Sequence, residues 1–184
     1  MFFKKIVLSL VLVTVSCLSQ ATIIDFDDIA TNGMVDDYYL SNGVQFQTYD
    51  WLATTGFGET SSPNFATSVS GVGFINFIEG FNNQLNFSYG AFANTVINIY
   101  DDLDGTGNLL DSVVLNANDI SNFEFVSIDF AGLAHSVVLQ GTPGTFAMDD
   151  LEFSYAQQVS SPPMFALLTL GVILLFARRC SSKR

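Results

Sequence analysis

The stretch QLNFSYGAF, residues 84–92, sets the pattern for most of this 184-residue chain. Leu85 and Phe87 face one way along it, while Asn86 and Ser88 face the other. Alternation of apolar and polar residues with a period of two is the pattern of a β-strand that buries one face. The stretch therefore predicts a strand lying between a core and solvent.

Similar short runs, broken by Gly, Asn, Asp and Ser, extend along the chain from Thr22 to Ala156. The candidate strands are TIIDF (22–26), GVQFQTY (43–49), GFINFI (73–78), QLNFSYGAF (84–92), TVINIYD (95–101), NLLDSVVLNA (108–117), FEFVSIDF (123–130), HSVVLQG (135–141) and TFAMDDLEFSYA (145–156). No segment of this body keeps a 3.6-residue period for long, and the chain's 18 Phe residues supply a large aromatic core. We predict an all-β fold, an antiparallel β-sandwich of the jelly-roll kind over residues 22–156.

Charge is divided sharply along the chain. The basic residues are Lys4, Lys5, Arg178, Arg179, Lys183 and Arg184, whereas all 18 acidic residues lie between Asp25 and Glu152. The body from residue 22 to residue 158 therefore has a formal charge of −18 and no Lys or Arg. Such a body repels nucleic acid and anionic lipid, and it attracts cations.

The N-terminal residues 1–21 have the layout of a secretory signal peptide. Lys4 and Lys5 precede an apolar run, and the small residues Ser19 and Ala21 suit cleavage after Ala21. A retained membrane anchor and a lipoprotein joined through Cys17 are the alternatives. We expect the body to be exported through the inner membrane.

The C-terminus combines a linker (157–163), an apolar helix (164–177) and a basic tail (178–184). Fourteen helical residues reach about 21 Å, less than the ~30 Å core of a bilayer, so the helix is a marginal span. The tail is predicted to remain cytoplasmic by the positive-inside rule. A plain C-terminal membrane anchor is the simpler alternative.

The segment VSSPPMFALLTLGVILLFARR resembles the PEP-CTERM sorting signal of Gram-negative bacteria. Val159 and Pro162 match the ends of its Val-Pro-Glu-Pro motif, Arg178–Arg179 match its basic pair, and Ser160 and Ser161 depart from the motif. The resemblance implies recognition by an exosortase-type processing enzyme. It also implies transient anchoring in the inner membrane and delivery to the cell surface or extracellular matrix.

Two further segments, IIDFDDI and FAMDDLEF, resemble the first and last strands of galactose-binding-like jelly rolls and MAM-type domains. In those folds the two strands lie side by side. Pairing would bring Asp25 and Asp27 close to Asp149 and Asp150, with no Lys or Arg in the body to neutralise them. Ca²⁺ binds such oxygen-rich clusters, so we predict a structural calcium site there. Aspartates that face solvent or cap turns are the alternative.

The apolar phase of the last candidate strand changes between Met148 and Leu151, which predicts a β-bulge beside the aspartates. The acidic segment YDDLDGTGN (100–108) begins like a calcium-binding loop but lacks the Glu of an EF-hand. It therefore fits a hairpin turn better.

Trp51, the only tryptophan, occurs in a long polar stretch, YDWLATTGFGETSSPNFA (49–66). We predict a loop in which Trp51, Tyr49 or Phe57 stacks on a sugar ring while Glu59 and Asn64 bind its hydroxyls. A buried core tryptophan is the alternative.

No nucleophile, zinc or phosphate-loop motif occurs, and His135 is the only histidine. We therefore expect no enzymatic activity. The sequence favours an exported, surface-sorted protein that binds or organises extracellular polysaccharide and is stabilised by calcium. The alternative is a structural matrix or adhesion protein with no small-molecule site.

Overall fold

The computed structural model describes residues 21–155. Nine strands run through this range: β1 (Ala21–Ile24), β2 (Val44–Phe46), β3 (Trp51–Thr54), β4 (Phe65–Ser68), β5 (Val72–Ala91), β6 (Thr95–Tyr100), β7 (Leu109–Leu115), β8 (Glu124–Gln140) and β9 (Phe146–Tyr155). Short 3-10 helices occupy Leu40–Asn42 and Leu103–Gly105. Every strand pairing is antiparallel.

The strands form a β-sandwich whose two layers share β5 and β8. One layer contains the first half of β5, the second half of β8, and β2, β6 and β7. The other contains the second half of β5, the first half of β8, and β9, β4 and β3, with β1 beside β9. The fold-class prediction is confirmed.

Bends in the middle of β5 allow this strand to pass from one layer to the other. Its pairing with β8 shifts register between Asn76 and Phe81 and again between Asn82 and Gln84. Gly80 and Asn83 have positive φ angles of 70° and 69° in these places. Irregularities of this kind turn the corners of sandwiches.

Phenylalanine supplies much of the core between the layers. The fully buried phenylalanines of the main core are Phe26, Phe46, Phe77, Phe81, Phe87, Phe146 and Phe153. Phe77 and Phe153, from different layers, meet edge to face at 4.8 Å between ring centroids. Burying one such ring contributes about 1.5–3 kcal/mol.

Four sequence-based interpretations can be compared with these strands. GFINFI and QLNFSYGAF were predicted as two strands but are one, β5, and FEFVSIDF and HSVVLQG are both parts of β8. The predicted long loop at 49–66 contains two strands, β3 and β4, because residues 51–54 and 65–68 pair with each other. The hairpin turn at 100–108 is confirmed, since it joins the paired strands β6 and β7.

The predicted signal peptide lies outside the described residues except for Ala21. The predicted linker, apolar helix and basic tail lie outside them entirely. Within residues 21–155, no helical segment has both the length and the apolar character needed to cross a bilayer.

Candidate functional site

The loop between β3 and β4, residues 55–64, is held to the sheet by one buried carboxylate. Asp149 of β9 has no exposed surface, and its Oδ2 accepts hydrogen bonds from the backbone N–H groups of Thr60 (2.8 Å) and Ser61 (2.9 Å). The Ser61 hydroxyl donates to the same carboxylate. These hydrogen bonds hold the second half of the 55–64 loop against β9.

The tip of this loop is fixed as well. The Glu59 carboxylate accepts a hydrogen bond from the backbone N–H of Phe57 (3.1 Å), and the N–H of Gly58 donates to the Ile120 carbonyl (3.0 Å). A Cβ on Gly58 would lie 2.1 Å from the carbonyl group of Ser121, so only glycine allows this approach. Phe57 therefore stands at the tip of an anchored loop.

The connection between β7 and β8, residues 116–123, is tied to the end of β5. The Asn118 side chain accepts from Ala91 N–H (2.7 Å) and donates to the Tyr89 carbonyl (3.1 Å). Asp119 accepts hydrogen bonds from the hydroxyl and N–H of Ser121, and these bonds hold the pKa of Asp119 below its ordinary value. Two loops distant in sequence thus meet at one end of the sandwich.

Phe57, Phe92 and Phe123 gather where these loops meet, and we call them the aromatic surface. Phe57 is 49% exposed and Phe92 is 58% exposed, and their ring centroids lie 6.1 Å apart in an edge-to-face arrangement. Below them, the buried Phe65 contacts Phe57 at 5.7 Å and Phe123 at 5.6 Å. A small core separate from the main one, formed by Phe65, Ile120 and Ala147, supports the rings.

Among residues 21–155, the surroundings of the aromatic surface carry acidic groups and no Lys or Arg. Glu59, Asp119 and Glu124 belong to the segments that form it, and the body contains no Lys or Arg. An anionic ligand would find no cationic partner here. The arrangement suits a neutral ligand that has apolar faces for the rings and hydroxyls for the nearby polar groups.

The four residues predicted to contact a sugar do not form one site. Trp51 has no exposed surface and meets Phe46 edge to face at 5.5 Å, so it belongs to the core and cannot stack on a ligand. This placement corresponds to the alternative that the sequence left open. The ring is buried because residue 51 opens strand β3 instead of lying in a loop.

Asn64 is also buried, and its polar groups are already used. Its side chain donates to the Ile29 carbonyl and accepts from the Thr31 hydroxyl, while its backbone N–H donates to Asp27. Such a residue holds two chain segments together and offers nothing to a ligand. The prediction that Asn64 binds sugar hydroxyls is not supported by its position.

Tyr49 and Glu59 lie at opposite ends of β3. The Tyr49 ring is 78% exposed, and its backbone N–H donates to Asp36, away from the 55–64 loop. Glu59 closes the loop tip as described. Of the aromatic residues considered from sequence, Phe57 is the one that the structure places on an exposed aromatic cluster.

The terminal strands do lie side by side, as predicted. β1 pairs with β9 so that Ile24 is opposite Leu151, which brings Asp25 towards Asp150. The predicted bulge is confirmed: Asn86 and Ser88 of β5 pair with Glu152 and Asp149, so β9 has one extra residue, and Asp150 has a positive φ of 49°.

Two carboxylates in this cluster are harder to ionise than usual. Burial raises the pKa of Asp149 to about 6, despite hydrogen bonds from Ser61 and Asp150 that lower it. Burial also raises the pKa of Asp150, and the charges of Asp25 and Asp27 add to this effect.

The fit of a calcium ion to the four aspartates is poor at Asp149. Thr60, Ser61 and Asp150 direct N–H groups at its oxygens, and these positive ends of dipoles occupy the directions that a cation would need. Within residues 21–155, no three acidic, histidine or cysteine side chains converge as a metal-binding group. Asp25, Asp27 and Asp150 remain the carboxylates with oxygen free for a cation.

Comparisons with known proteins were made against families, curated sequences and solved structures. No protein-family model matches the chain, and no curated protein matches it. A family 6 carbohydrate-binding module is similar in structure, with a TM-score of 0.47 and 15% identity over 73% of this chain and 94% of the module. A family 29 carbohydrate-binding module gives a TM-score of 0.45 and 13% identity, covering 78% and 99%.

A third similar structure is a family 43 glycoside hydrolase, an arabinoxylan arabinofuranohydrolase from Bacillus subtilis. Its TM-score is 0.44 and its identity 16%, and the match covers 58% of this chain but only 24% of the hydrolase. All three similarities are similarities of backbone fold, at sequence identities of 13–16%.

Phe92 and Phe123 were missed from sequence, although one signal for Phe92 was present. In QLNFSYGAF the apolar residues Leu85, Phe87, Tyr89 and Ala91 occupy odd positions, so Phe92 falls on the other phase, and it is exposed. An aromatic residue on the polar phase of a strand is a candidate ligand contact. For Phe123, only the tertiary contact with Phe65 identifies the position.

Proposed function

We propose that this protein binds a neutral extracellular polysaccharide, without catalysing a reaction on it, through the aromatic surface. The observation that carries the proposal is the exposure of Phe57 and Phe92 on connections that hydrogen bonds hold in place. Asp149 of β9 accepts from Thr60 and Ser61 in the loop that carries Phe57, and the Phe92 N–H donates to the Thr145 carbonyl. Sugar rings present apolar C–H faces that stack on aromatic rings. Anchored loops lose little conformational entropy when a ligand binds, which favours affinity.

The overall charge supports a neutral ligand. A body with a formal charge of −18 and no Lys or Arg disfavours acidic polysaccharides, nucleic acids and anionic membranes. Neutral glycans remain as an abundant extracellular polymer class that pays no electrostatic penalty.

The test is a glycan array followed by calorimetry with the purified protein and the variants Phe57→Ala and Phe92→Ala. Each variant is expected to bind the selected glycan at least tenfold more weakly, which corresponds to about 1.4 kcal/mol. Tyr49→Asn is the matched control, because it removes an exposed ring elsewhere and Asn tolerates the positive φ of 60° at this position. If Tyr49→Asn weakens binding and the two Phe variants do not, the site is wrongly placed.

The alternative function is a structural matrix or adhesion protein, and the aromatic surface is also the observation that favours it. Exposed phenylalanines can be buried between copies of the chain once cations screen the repulsion between acidic bodies. This alternative predicts calcium-dependent self-association and no signal on a neutral glycan array. Sedimentation velocity with calcium and with chelator distinguishes the two functions.

Export and sorting form the second part of the proposal, supported by the signal-peptide layout and by the resemblance of residues 159–179 to a sorting signal. The body would reach the cell surface or matrix after an exosortase-type enzyme removes the C-terminal segment. A variant lacking residues 160–184 should then accumulate as soluble protein in the periplasm or medium. An unchanged location would mean that these residues are not a sorting signal.

A further inference from the structure

An amide-lined cavity of about 310 Å³ lies in the surface of the layer that contains β9 and the second half of β5. Its polar lining residues are Asn82, Asn83, Gln84, Asn86, Glu152 and Ser154. None of the residues predicted from sequence to bind a sugar contributes to this lining. The cavity also contains none of the residues of the aromatic surface, so it is a separate feature.

Two of the amides that line the cavity, Gln84 and Asn86, have orientations that their hydrogen-bonding partners determine. Asp129 can only accept, so the Gln84 amide turns its NH₂ group to this carboxylate (2.9 Å) and its carbonyl oxygen towards Asn86. The Asn86 NH₂ group then donates to Gln84 Oε1 (3.0 Å) and to Glu152 Oε2 (3.5 Å). Because both of these neighbours are acceptors, the Asn86 carbonyl oxygen must point away from them.

That oxygen has no donor. Asn86 Oδ1 is buried and accepts no hydrogen bond from the residues that the structure describes. A buried acceptor without a partner is rare in folded proteins and is commonly completed by a bound water or a ligand. The cavity volume is about ten times the ~30 Å³ share of one water and reaches the lower end of the ~300–1,000 Å³ range of ligand sites.

The cavity and the aromatic surface lie on the same side of β5. A Cβ on Gly90 would meet Phe123 at 2.7 Å, so even-numbered positions at this end of the strand face the aromatic surface. Leu85, Phe87 and Tyr89 face the main core. Alternation then places Asn86 on the side of Gly90, about 13 Å away along the strand at roughly 3.3 Å per residue.

An exposed ring lies between the two features. Phe125 of β8 is 67% exposed and pairs with Ser88 of β5. This pair lies two residues along the strands from the Asn86–Ser127 pair, so its side chains point to the same face of the sheet. Ser88 of β5 is buried, whereas Phe125 and Ser127 of β8 are exposed, so the open route from the cavity to the aromatic surface runs over β8. This route is longer than a single sugar unit requires.

We infer that the amide cavity is a second subsite, in which hydroxyls of an extended neutral oligosaccharide hydrogen-bond the amides that line it while another part of the same chain stacks on the aromatic surface. This inference rests on the proposed function and specifies its ligand as an oligosaccharide chain long enough to span both places. The Glu152 and Asp129 carboxylates beside the cavity exclude acidic sugars. They favour ligands that donate hydrogen bonds, as neutral hydroxyl groups do.

The experiment uses ¹⁵N-labelled protein and a panel of neutral hexasaccharides from glucan, xylan and mannan. Addition of the bound hexasaccharide should shift the side-chain NH₂ signals of Asn86 and Gln84 together with the backbone signals of Phe57 and Phe92. In calorimetry, Asn86→Ala should weaken hexasaccharide binding about tenfold and leave binding of the corresponding disaccharide to the aromatic surface unchanged. Gln45→Ala is the matched control, since Gln45 is an amide on β2 that donates to a carboxylate, Asp37, without lining this cavity.

The outcomes separate the two proposals. Shifts confined to Phe57 and Phe92 overturn the second subsite and leave the proposed function standing, because the cavity then holds water only. Shifts confined to Asn86 and Gln84 overturn the aromatic surface as the binding site and support the cavity. No shift with any hexasaccharide overturns both, and shifts of Asn86 produced by calcium chloride alone identify the cavity as a cation site instead.

Discussion

The buried carboxylate of Asp149 should make this protein less stable as the pH rises from 5 to 7.5. Burial raises the pKa of Asp149 from 3.8 to about 6 in the folded protein. A carboxyl group with a raised pKa in the folded state binds its proton more tightly there than in the unfolded chain. Its stabilising effect is therefore fully present below pH 3.8 and is lost as the pH rises through about 6.

The shift of about two pH units corresponds to a total of about 3 kcal/mol in the free energy of unfolding. About 1.4 kcal/mol of this change falls between pH 5 and pH 7.5. Urea unfolding followed by tryptophan fluorescence is a suitable assay, because the single Trp51 is fully buried.

The variant Asp149→Asn isolates this contribution from the general effect of a highly acidic body. An amide cannot accept all the N–H groups that Thr60, Ser61 and Asp150 direct at Asp149. The variant is expected to be less stable than the wild type at pH 5, with a difference that shrinks by about 1.4 kcal/mol at pH 7.5. If the difference grows with pH instead, the hydrogen bonds outweigh burial and the reasoning is refuted.

Three further results are expected. Gly43→Ala should lower the free energy of unfolding by about 2–4 kcal/mol, because φ at Gly43 is +75° and a Cβ there would lie 2.7 Å from the Tyr155 hydroxyl. Gly144→Ala is the control: φ is +63° and the space around it is open, so only the cost of the backbone conformation should appear. Equal losses of stability for the two variants in urea unfolding would exclude the contact with Tyr155. Trp51→Ala should lower the free energy of unfolding by about 3–5 kcal/mol, while calorimetry under folding conditions shows unchanged glycan affinity; a selective loss of affinity would return this ring to the binding site. Calcium titration should release heat, with reversal by chelator, through Asp25, Asp27 and Asp150 but not through Asp149, whose oxygens already accept N–H groups. No heat would contradict the predicted calcium site.

Local sequence periodicity determined the fold class and most of the strands, although β3 and β4 were missed and β5 and β8 were each predicted as two strands. The alternation around Leu85 and Phe87 implied one buried face, and the shift of phase between Met148 and Leu151 implied the bulge that the structure contains at Asp150. The segregation of charge was equally plain from the sequence, since it depends on residue types alone. Strand periodicity and the bulge are local properties of the sequence, and net charge is a sum over residues. None of them requires knowledge of long-range contacts.

Only the tertiary structure decided which side chains meet and which are exposed. Trp51 and Asn64 were predicted to lie in a polar loop, but both are buried. Trp51 lies in β3, which pairs with β4, and Asn64 is hydrogen-bonded to residues 27–31, so the partners of both come from distant segments. Phe57, Phe92 and Phe123 belong to three separate connections and become neighbours because Asp149, Gly58 and Asn118 anchor those connections to one end of the sandwich. A strand pattern specifies a face, whereas a site depends on register and loop path, which are set by contacts between residues far apart in the chain.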